Sequence, residues 1–543
     1  MRIIAVIPAR GGSKGIPRKN LRLINGQPLI SYAIRNALES RYITSVFVST
    51  DSDEIAYEAE QCGAEVVRRD ESISNDVTTL DPVIYDAVLK AEAAKRCTFD
   101  AVVTMQPTSP LLRLQTLDGA IESFLKDGSD TVISVVNKPH LAWGCQGKAI
   151  VPLYEQRKNR QLLPPHYLET GAFLICKRSI ITPVSRIGEN VSVYEVDEDE
   201  SIDIDTKNDW VVSEALMQRK KIIFRADGNK KLGLGHIYNC ITLAYRMTEH
   251  DILIVTHEDS HEGIAKLKES NLPYRVIKTE ADIDQVIREF SPDIWVNDCL
   301  NTTKPYIRSL KKKICRVVSI EDLGSGTTYA DAVVNALYEE EHPLDHVYSG
   351  HRYVCLRDEF LLERPKAFSP EVKNVFIMFG GTDPSNLNRL VYNSLLSGNV
   401  DSRGIRFNFI TGIGYDVSAN GLCDHPERGI FIYPNVARVT KYMKEADLAL
   451  IGQGRTIFEV ASMGVPSVVL AQNEREATHG FASMEHGFLN LGLGKAVSQE
   501  VIENTLNWLI HTPEVRRSMH QLMLKSKLRS GIQRVKNLIV GDE

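Results

Sequence analysis

A chain of 543 residues is too long for one ordinary domain, and at roughly 100 to 200 residues per domain it predicts three or four compact units. Its 43% apolar and 25% charged residues exclude extensive disorder, and a formal net charge of −6 with no basic helix face leaves no footprint for nucleic acid. No apolar run reaches the ~18 to 20 residues of a membrane span, and nine scattered cysteines without a Cys-x-x-Cys pair argue against a disulfide framework or structural zinc.

The opening run Ile3–Ile7 is broken too soon by Pro8 and Arg10 to be a signal-peptide core, so a reducing cytoplasm is the expected compartment. The run reads instead as a buried first strand entering the loop Arg10-Gly-Gly-Ser-Lys-Gly15. Gly11, Gly12 and Gly15 let backbone N–H groups approach an anion, while Arg10, Lys14, Arg18 and Lys19 supply charge for phosphate oxygens. A nucleoside triphosphate suits such a loop. Lys14 is followed by Gly15 rather than Ser or Thr, so this is no Walker A element and a kinase or ATPase is disfavoured. The residues alone also admit a solvated basic turn.

Helical spacing over 28–37 and an apolar segment over 45–51 that ends in Asp51 predict the strand-helix-strand start of a parallel sheet. A strand at 64–67, a helix at 82–94 and a strand entering Gln106-Pro-Thr-Ser-Pro110 continue the alternation. Ligands gather at the carboxyl ends of such strands, so Arg10, Asp51, Arg69 and Gln106 are expected to converge. The Gln106 amide can read a pyrimidine edge as donor and acceptor, or simply face water. At Ser201-Ile-Asp-Ile-Asp-Thr206 a strand would put Asp203 and Asp205 on one face, able to hold Mg²⁺. The acidic run 195–200 beside them leaves a solvated charged loop as the alternative.

Three segments in order, Ile3–Asn20, Gln106–Leu111 and the Asp-Ile-Asp motif, resemble the signatures of the CMP-sialic acid synthetases, the cytidylyltransferases that activate nonulosonic acids. The resemblance covers roughly residues 1 to 215. It implies that the loop, through Arg10, Gly11, Gly12, Ser13, Lys14 and Asn20, binds CTP, with Arg69 and Gln106 also contacting the nucleotide. It implies that Arg10 and Lys14 stabilise the triphosphate, that Asp203 and Asp205 carry Mg²⁺, and that the domain forms a homodimer. Ser74-Asn-Asp76 matches a nucleotide-contacting region less specifically. Arg160, Gln161 and Gly171 align with the acid-binding segment, although Arg160 read alone is an exposed loop arginine. Leu168 and Thr170 depart from that segment, which carries an arginine and an asparagine there. A pseudaminic, legionaminic or deaminated acid is therefore expected in preference to N-acetylneuraminate.

A helix over 209–218 closes this first domain, residues 1–220, and a new first strand starts at Ile222. Strands at 251–256, 274–277, 293–296 and 316–320 alternate with helical segments, and a second set begins at Asn374 and continues through 407–411, 448–451 and 467–470. The fold class expected is α/β throughout: a Rossmann-like nucleotidyltransferase domain, then a two-lobed GT-B-like region with lobes at 222–365 and 370–543. From Pro513 a single basic amphipathic helix is expected to pack across the domain.

Arg225-Ala-Asp227, Gly233-Leu-Gly-His236 and Gly452–Glu459 resemble the UDP-sugar hydrolase of the pseudaminic acid pathway and its spore-coat polysaccharide relatives. That resemblance implies a UDP-sugar substrate and His236 as general base. Gly380, Gly381, Thr382 and Asp383, with the start of the helix at Thr456, would cradle the diphosphate, and Glu459 would reach the ribose. Read alone, His236 is equally a structural or phosphate-contacting residue, and Glu459 an acid favoured by a helix's first turn. Three accounts of the second half stand: a hydrolase making a free hexose precursor in a bifunctional enzyme, a glycosyltransferase consuming the CMP-sugar, and a non-catalytic nucleotide-sugar-binding module.

Overall fold

Strands buried on both faces show no apolar alternation, and the Ile- and Val-rich runs of this chain become such strands. The computed structural model describes residues 1–12, 15–75, 77–339, 343–436 and 438–541. It divides the chain into two units, Met1–Arg219 and Lys220–Glu543. In the first unit β1 (Ile3–Pro8), β2 (Ser45–Thr50), β3 (Glu65–Arg68) and β4 (Ala101–Met105) run parallel. They join β5 (Thr131–Asn137), β6 (Tyr167–Lys177) and β7 (Val191–Glu195) in a seven-stranded sheet ordered β7-β5-β6-β4-β1-β2-β3. Only β6 is antiparallel to its neighbours.

Alternate residues of β1 serve opposite cores. Ile3, Ala5 and Ile7 pack with α1 (Leu29–Glu39), α2 (Asp53–Gln61) and α4 (Leu114–Asp127). Ile4 and Val6 pack with α3 (Leu80–Lys95). The strand order reverses between β1 and β4, so the loops after these strands diverge and leave a crevice at their carboxyl ends. A last helix, α5 (Lys207–Met217), starts at a reciprocal cap in which Thr206 and Asp209 bond each other's backbone N–H groups.

The second unit holds two wholly parallel sheets, with strands ordered 3-2-1-4-5-6-7 in the first and 3-2-1-4-5-6 in the second. The first comprises β8 (Lys221–Ala226), β9 (Asp251–His257), β10 (Tyr274–Ile277), β11 (Ile294–Asp298), β12 (Arg316–Ile320), β13 (Ala332–Asn335) and β14 (Val347–Ser349), ordered β10-β9-β8-β11-β12-β13-β14. The second comprises β15 (Asn374–Met378), β16 (Arg406–Thr411), β17 (Ile430–Pro434), β18 (Leu448–Gly452), β19 (Ser467–Ala471) and β20 (Phe488–Leu493), ordered β17-β16-β15-β18-β19-β20. This is the GT-B-like, double-Rossmann arrangement. Helices α6 (Gly235–Arg246), α7 (Leu387–Leu396) and α8 (Thr456–Met463) begin near the carboxyl ends of β8, β15 and β18.

The helix expected from Pro513 is broken in two over residues 526–530. α9 (Gln499–His511) and α10 (Pro513–Lys525) belong to the second lobe. Lys527 then turns the chain at φ 47°, and α11 (Gly531–Val540) returns to the first lobe, where Arg316 donates to the carbonyls of Leu538 and Ile539. Among the described residues no helix is long and apolar enough to cross a membrane.

Fully buried Arg516 of α10 ties α9 to the segment that leads into β15, donating to the carbonyls of Leu509 (2.8 Å), Ser369 (3.1 Å) and Pro370 (2.5 Å). Stranded buried acceptors cost about 1–3 kcal/mol each. Arg516→Ala is therefore expected to lower the second unit's unfolding free energy by about 3–5 kcal/mol in urea titration, and a loss below about 1 kcal/mol would contradict the role given to it.

Candidate functional site

The crevice of the first unit is closed by a glycine. On β6 the register shifts between Glu169 and Leu174, and Gly171 takes φ +73°, in the left-handed region that L side chains avoid. A Cβ there would stand 2.9 Å from the Gln106 amide nitrogen and 3.5 Å from Asp203 Oδ2. Gln106, Gly171 and Asp203 thus meet at the end of β4, and only glycine permits it.

The Asp203 segment is not the expected strand. Residues 202–205 are extended loop between a single-turn helix (Asp199–Ser201) and α5. The segment docks through one backbone bond, Ile204 N–H to the Thr108 carbonyl at 2.8 Å, with Ile204 wholly buried. Asp203 is consequently half-buried while Asp205 is exposed, and the two do not share a sheet face. Lys19 Nζ bridges the segment, donating to the Ile204 carbonyl at 2.7 Å and pairing with Asp205 Oδ1 at 3.1 Å.

Three buried oxygens, Thr108 Oγ1, Ser109 Oγ and Asp203 Oδ1, have no hydrogen-bond partner among the described residues. Burial pushes the Asp203 carboxyl above its ordinary range, with Asp205 adding to the rise and Lys19 opposing it. An unsatisfied, half-buried carboxylate oxygen beside a second carboxylate is a donor set that fits a hard divalent cation such as Mg²⁺.

The glycine loop lies against the same segment. A Cβ on Gly15 would meet the Asp205 carbonyl at 2.6 Å, and Gly11 N–H donates to Asp51 Oδ1 at 2.9 Å, so that amide is engaged within the protein. Gly12 has open space around it. Buried Asn20 donates to the Arg10 carbonyl at 3.1 Å and shapes the loop, and Arg10 Nη1 reaches the Asn75 carbonyl at 3.5 Å. Arg69 donates to the Ser49 carbonyl at 2.9 Å, and burial lowers its pKa, with Asp51 and Arg10 among the charges acting on it. Ser13, Lys14 and Asp76 lie outside the described residues.

The acid-binding segment is placed differently. Arg160 and Gln161 stand on an exposed single turn (Arg160–Leu162), outside the hydrogen-bond network around Asp203. Thr170 is buried and donates to Ser134 Oγ at 2.8 Å, so its side chain braces β5 rather than lining a pocket. Leu168 is exposed on β6, opposite Val136.

In the second unit the two sheets face a cleft of about 540 Å³, lined by Gly235, His236, Glu321, Arg357, Gly380, Gly381, Arg455, Thr456 and Glu459 among others. His236, in the first turn of α6, places Nδ1 2.6 Å from Oδ1 of fully buried Asp298 at the end of β11. Asn239 donates to the other Asp298 oxygen at 2.6 Å, and Arg455 of the opposite lobe donates to Asn239 Oδ1 at 3.1 Å.

Beside them Glu321, 1% exposed and at φ +53°, faces Arg455 Nη2 at 3.4 Å. Burial raises its carboxyl to about 7, against the pull of Arg455. Sequence reasoning missed Asp298 and Glu321, yet both sit where a parallel strand ends, the position that should have drawn attention to them. Gly380 takes φ +77°, and neither it nor Gly381 has an atom within 4 Å of a would-be Cβ, which leaves backbone open to a ligand.

Several motif residues turn out to be committed elsewhere. Glu459 Oε1 accepts from Arg357 Nε at 2.9 Å, and burial raises the Glu459 carboxyl. Asp383 caps α7, accepting from the backbone N–H groups of Leu387 and Asn388. Arg225 pairs with Asp227 at 2.7 Å, and Asp227 in turn holds the His257 N–H and the Ser260 hydroxyl.

A family model described as Cytidylyltransferase matches residues 4–162. N-acylneuraminate cytidylyltransferase A of Danio rerio is 31% identical over 291 residues, 51% of this chain and 66% of that protein. CMP-N,N'-diacetyllegionaminic acid synthase of Legionella pneumophila is 36% identical over 228 residues, 40% of this chain and 97% of that protein. The chain thus spans just under two thirds of the first relative's length and nearly all of the second's. Among solved structures, MurG of Acinetobacter baumannii aligns over 59% of this chain and 99% of its own at 17% identity, with a TM-score of 0.43.

The Asp203 carboxyl holds its proton more tightly folded than unfolded, so its ionisation opposes folding. The first unit is expected to lose stability as pH climbs from the ordinary carboxylate range through the raised value, with the full loss present above it. At pH 8 without divalent cation, Asp203→Asn is expected to melt above the wild type, and added Mg²⁺ is expected to stabilise the wild type and not the variant. A lower melting temperature with an intact Mg²⁺ response would contradict this account of Asp203.

Proposed function

The chain belongs to the cytidylyltransferase family, and we propose that its first unit transfers CMP from CTP to a sialic-acid-like nonulosonic acid and releases pyrophosphate. The observation that carries this reading is the meeting of Gln106, Gly171 and Asp203 at the crevice where the strand order reverses. The acid's anomeric hydroxyl attacks the α-phosphorus in line with the departing pyrophosphate, a reaction in which positioning and charge stabilisation carry most of the catalysis. Gln106 reads the cytosine edge, while Arg10, Lys14 and the backbone at Gly12 hold the triphosphate. Asp203 and Asp205 would hold Mg²⁺, which supplies charge neutralisation to the triphosphate when bound. Lys19 keeps Asp205 in place and links the glycine loop to the acidic segment.

The Legionella relative is a CMP-N,N'-diacetyllegionaminic acid synthase, which supports a diacetylated acid as the acceptor. Thr170 does not contribute to that choice, because its hydroxyl is spent on Ser134. Asp203→Asn and Asp205→Asn are expected to lower Mg²⁺-dependent CMP-sugar formation at least about 100-fold. Near-normal synthesis by both variants at low Mg²⁺ would refute the metal assignment.

A second reading, favoured by the His236–Asp298 pair, makes the second unit a UDP-sugar hydrolase and the chain bifunctional. With Nδ1 held by Asp298, Nε2 is the nitrogen left to take a proton. Water attacks the anomeric carbon, His236 receives its proton, and the bond from that carbon to the diphosphate oxygen breaks to release UDP. His236→Gln is expected to abolish UDP release from a UDP-2,4-diacetamido-trideoxyhexose while UDP binding and CMP-sugar synthesis persist. Wild-type rates in that variant would remove His236 as the base, and absence of UDP release from the wild type would favour the transferase or binding-module account.

A further inference from the structure

In the second unit, three segments bring metal-binding side chains together. Glu339 follows β13, His351 opens the turn after β14, and His486 closes a turn before β20, so two come from the first lobe and one from the second. One donor atom from each lies within 4.8 Å of the others. His351 Nδ1 is 3.3 Å from Glu339 Oε1, and the two imidazole centroids are 5.1 Å apart. We propose that Glu339, His351 and His486 bind one divalent transition-metal ion of the Zn²⁺ class, with a further position left to water, and that the ion ties the two lobes together.

The surroundings are built for it. Gly350, at φ +91°, and Gly480 flank the Glu339 side chain, where a Cβ on either would come within 3.7 Å of it. Phe481 packs against both imidazoles, at 5.1 and 4.3 Å between centroids, and fixes their planes. The Ser483 hydroxyl lies 3.2 Å from His486 Nδ1, an outer partner of the kind that orients a ligating imidazole and leaves Nε2 for the metal.

Burial lowers the pKa of His486, with His351 adding to the fall. Two imidazoles and one carboxylate select Zn²⁺ or Co²⁺ over Mg²⁺, which prefers oxygen donors. Metal–ligand distances of about 2.0–2.2 Å require the donors to draw closer than they now stand. Partly exposed Glu339 and His351 can supply that movement by rotation about their side-chain bonds.

The test is titration of the metal-free full-length chain with Co²⁺, read by visible absorption and by competition with Zn²⁺. The expected result is a saturable Co²⁺ with ligand-field bands, displaced by Zn²⁺, that remains at one per chain in Asp203→Asn, where the first unit's cation site is removed, and is weakened at least about 100-fold in His486→Ala. His351→Ala, at a more exposed position, repeats the test should His486→Ala fail to fold. Zn²⁺ should raise the wild type's second-unit melting temperature and leave His351→Ala unmoved. No saturable Co²⁺ in the wild type, or undiminished binding in His351→Ala, would overturn the proposal.

Discussion

The approach of β6 to the turn after β4, allowed by one glycine in a left-handed conformation, is the constraint on which the first unit's crevice depends. With Gly171 at φ +73° the bulged strand comes close enough for the Gln106 amide and the Asp203 carboxylate to share one space. Any side chain there would be strained by its backbone and would collide with Gln106. Ile204 supplies the anchor, because its burial and its single backbone bond to Thr108 hold Asp203 over the turn without a strand ladder. The outcome is a pocket of under-satisfied oxygens. That is a poor way to stabilise an empty fold and a good way to receive a cation with the phosphates it accompanies.

The second unit meets the same demand differently. Its buried charges are satisfied in chains: His236 to Asp298, Asp298 to Asn239, Asn239 to Arg455, and Arg455 to Glu321. The chain passes from one lobe to the other. The arginine that reaches across also faces the carboxyl that burial has raised to about 7. Polar networks of this kind specify geometry when fully joined and are costly when cut, so the cleft's shape and its chemistry depend on the same bonds.

Much of this was legible from residue order. The parallel strands near 3–8, 45–50, 448–452 and 467–471 stand close to where apolar runs put them, because a doubly covered sheet leaves an unmistakable pattern. Gln106 and the glycine loop fall at strand ends, as the alternation implied. The antiparallel β6 was not legible, since nothing local in its sequence announces a reversal of direction. Nor was the true conformation around Asp203: alternating Ile and Asp suggests a strand, yet the alternation here serves one buried anchor in a loop. Asp298 lies 62 residues from His236 along the chain, so only its place at the carboxyl end of β11 could have singled it out, and Glu339, His351 and His486 come from two lobes, where no spacing rule applies. The motif residues Asp383, Asp227 and Glu459 were legible as residues that matter, but their work is to cap a helix, brace a loop and pair with Arg357.

The central claim is that the first unit makes a CMP-linked nonulosonic acid. Mass spectrometry of the full-length chain incubated with CTP, Mg²⁺ and a panel of nonulosonic acids tests it most directly. The account predicts a product with the mass of the CMP-linked acid and one pyrophosphate for each CMP transferred, with ATP, GTP and UTP failing to replace CTP. Recovery of intact CTP with every acid in the panel would contradict it.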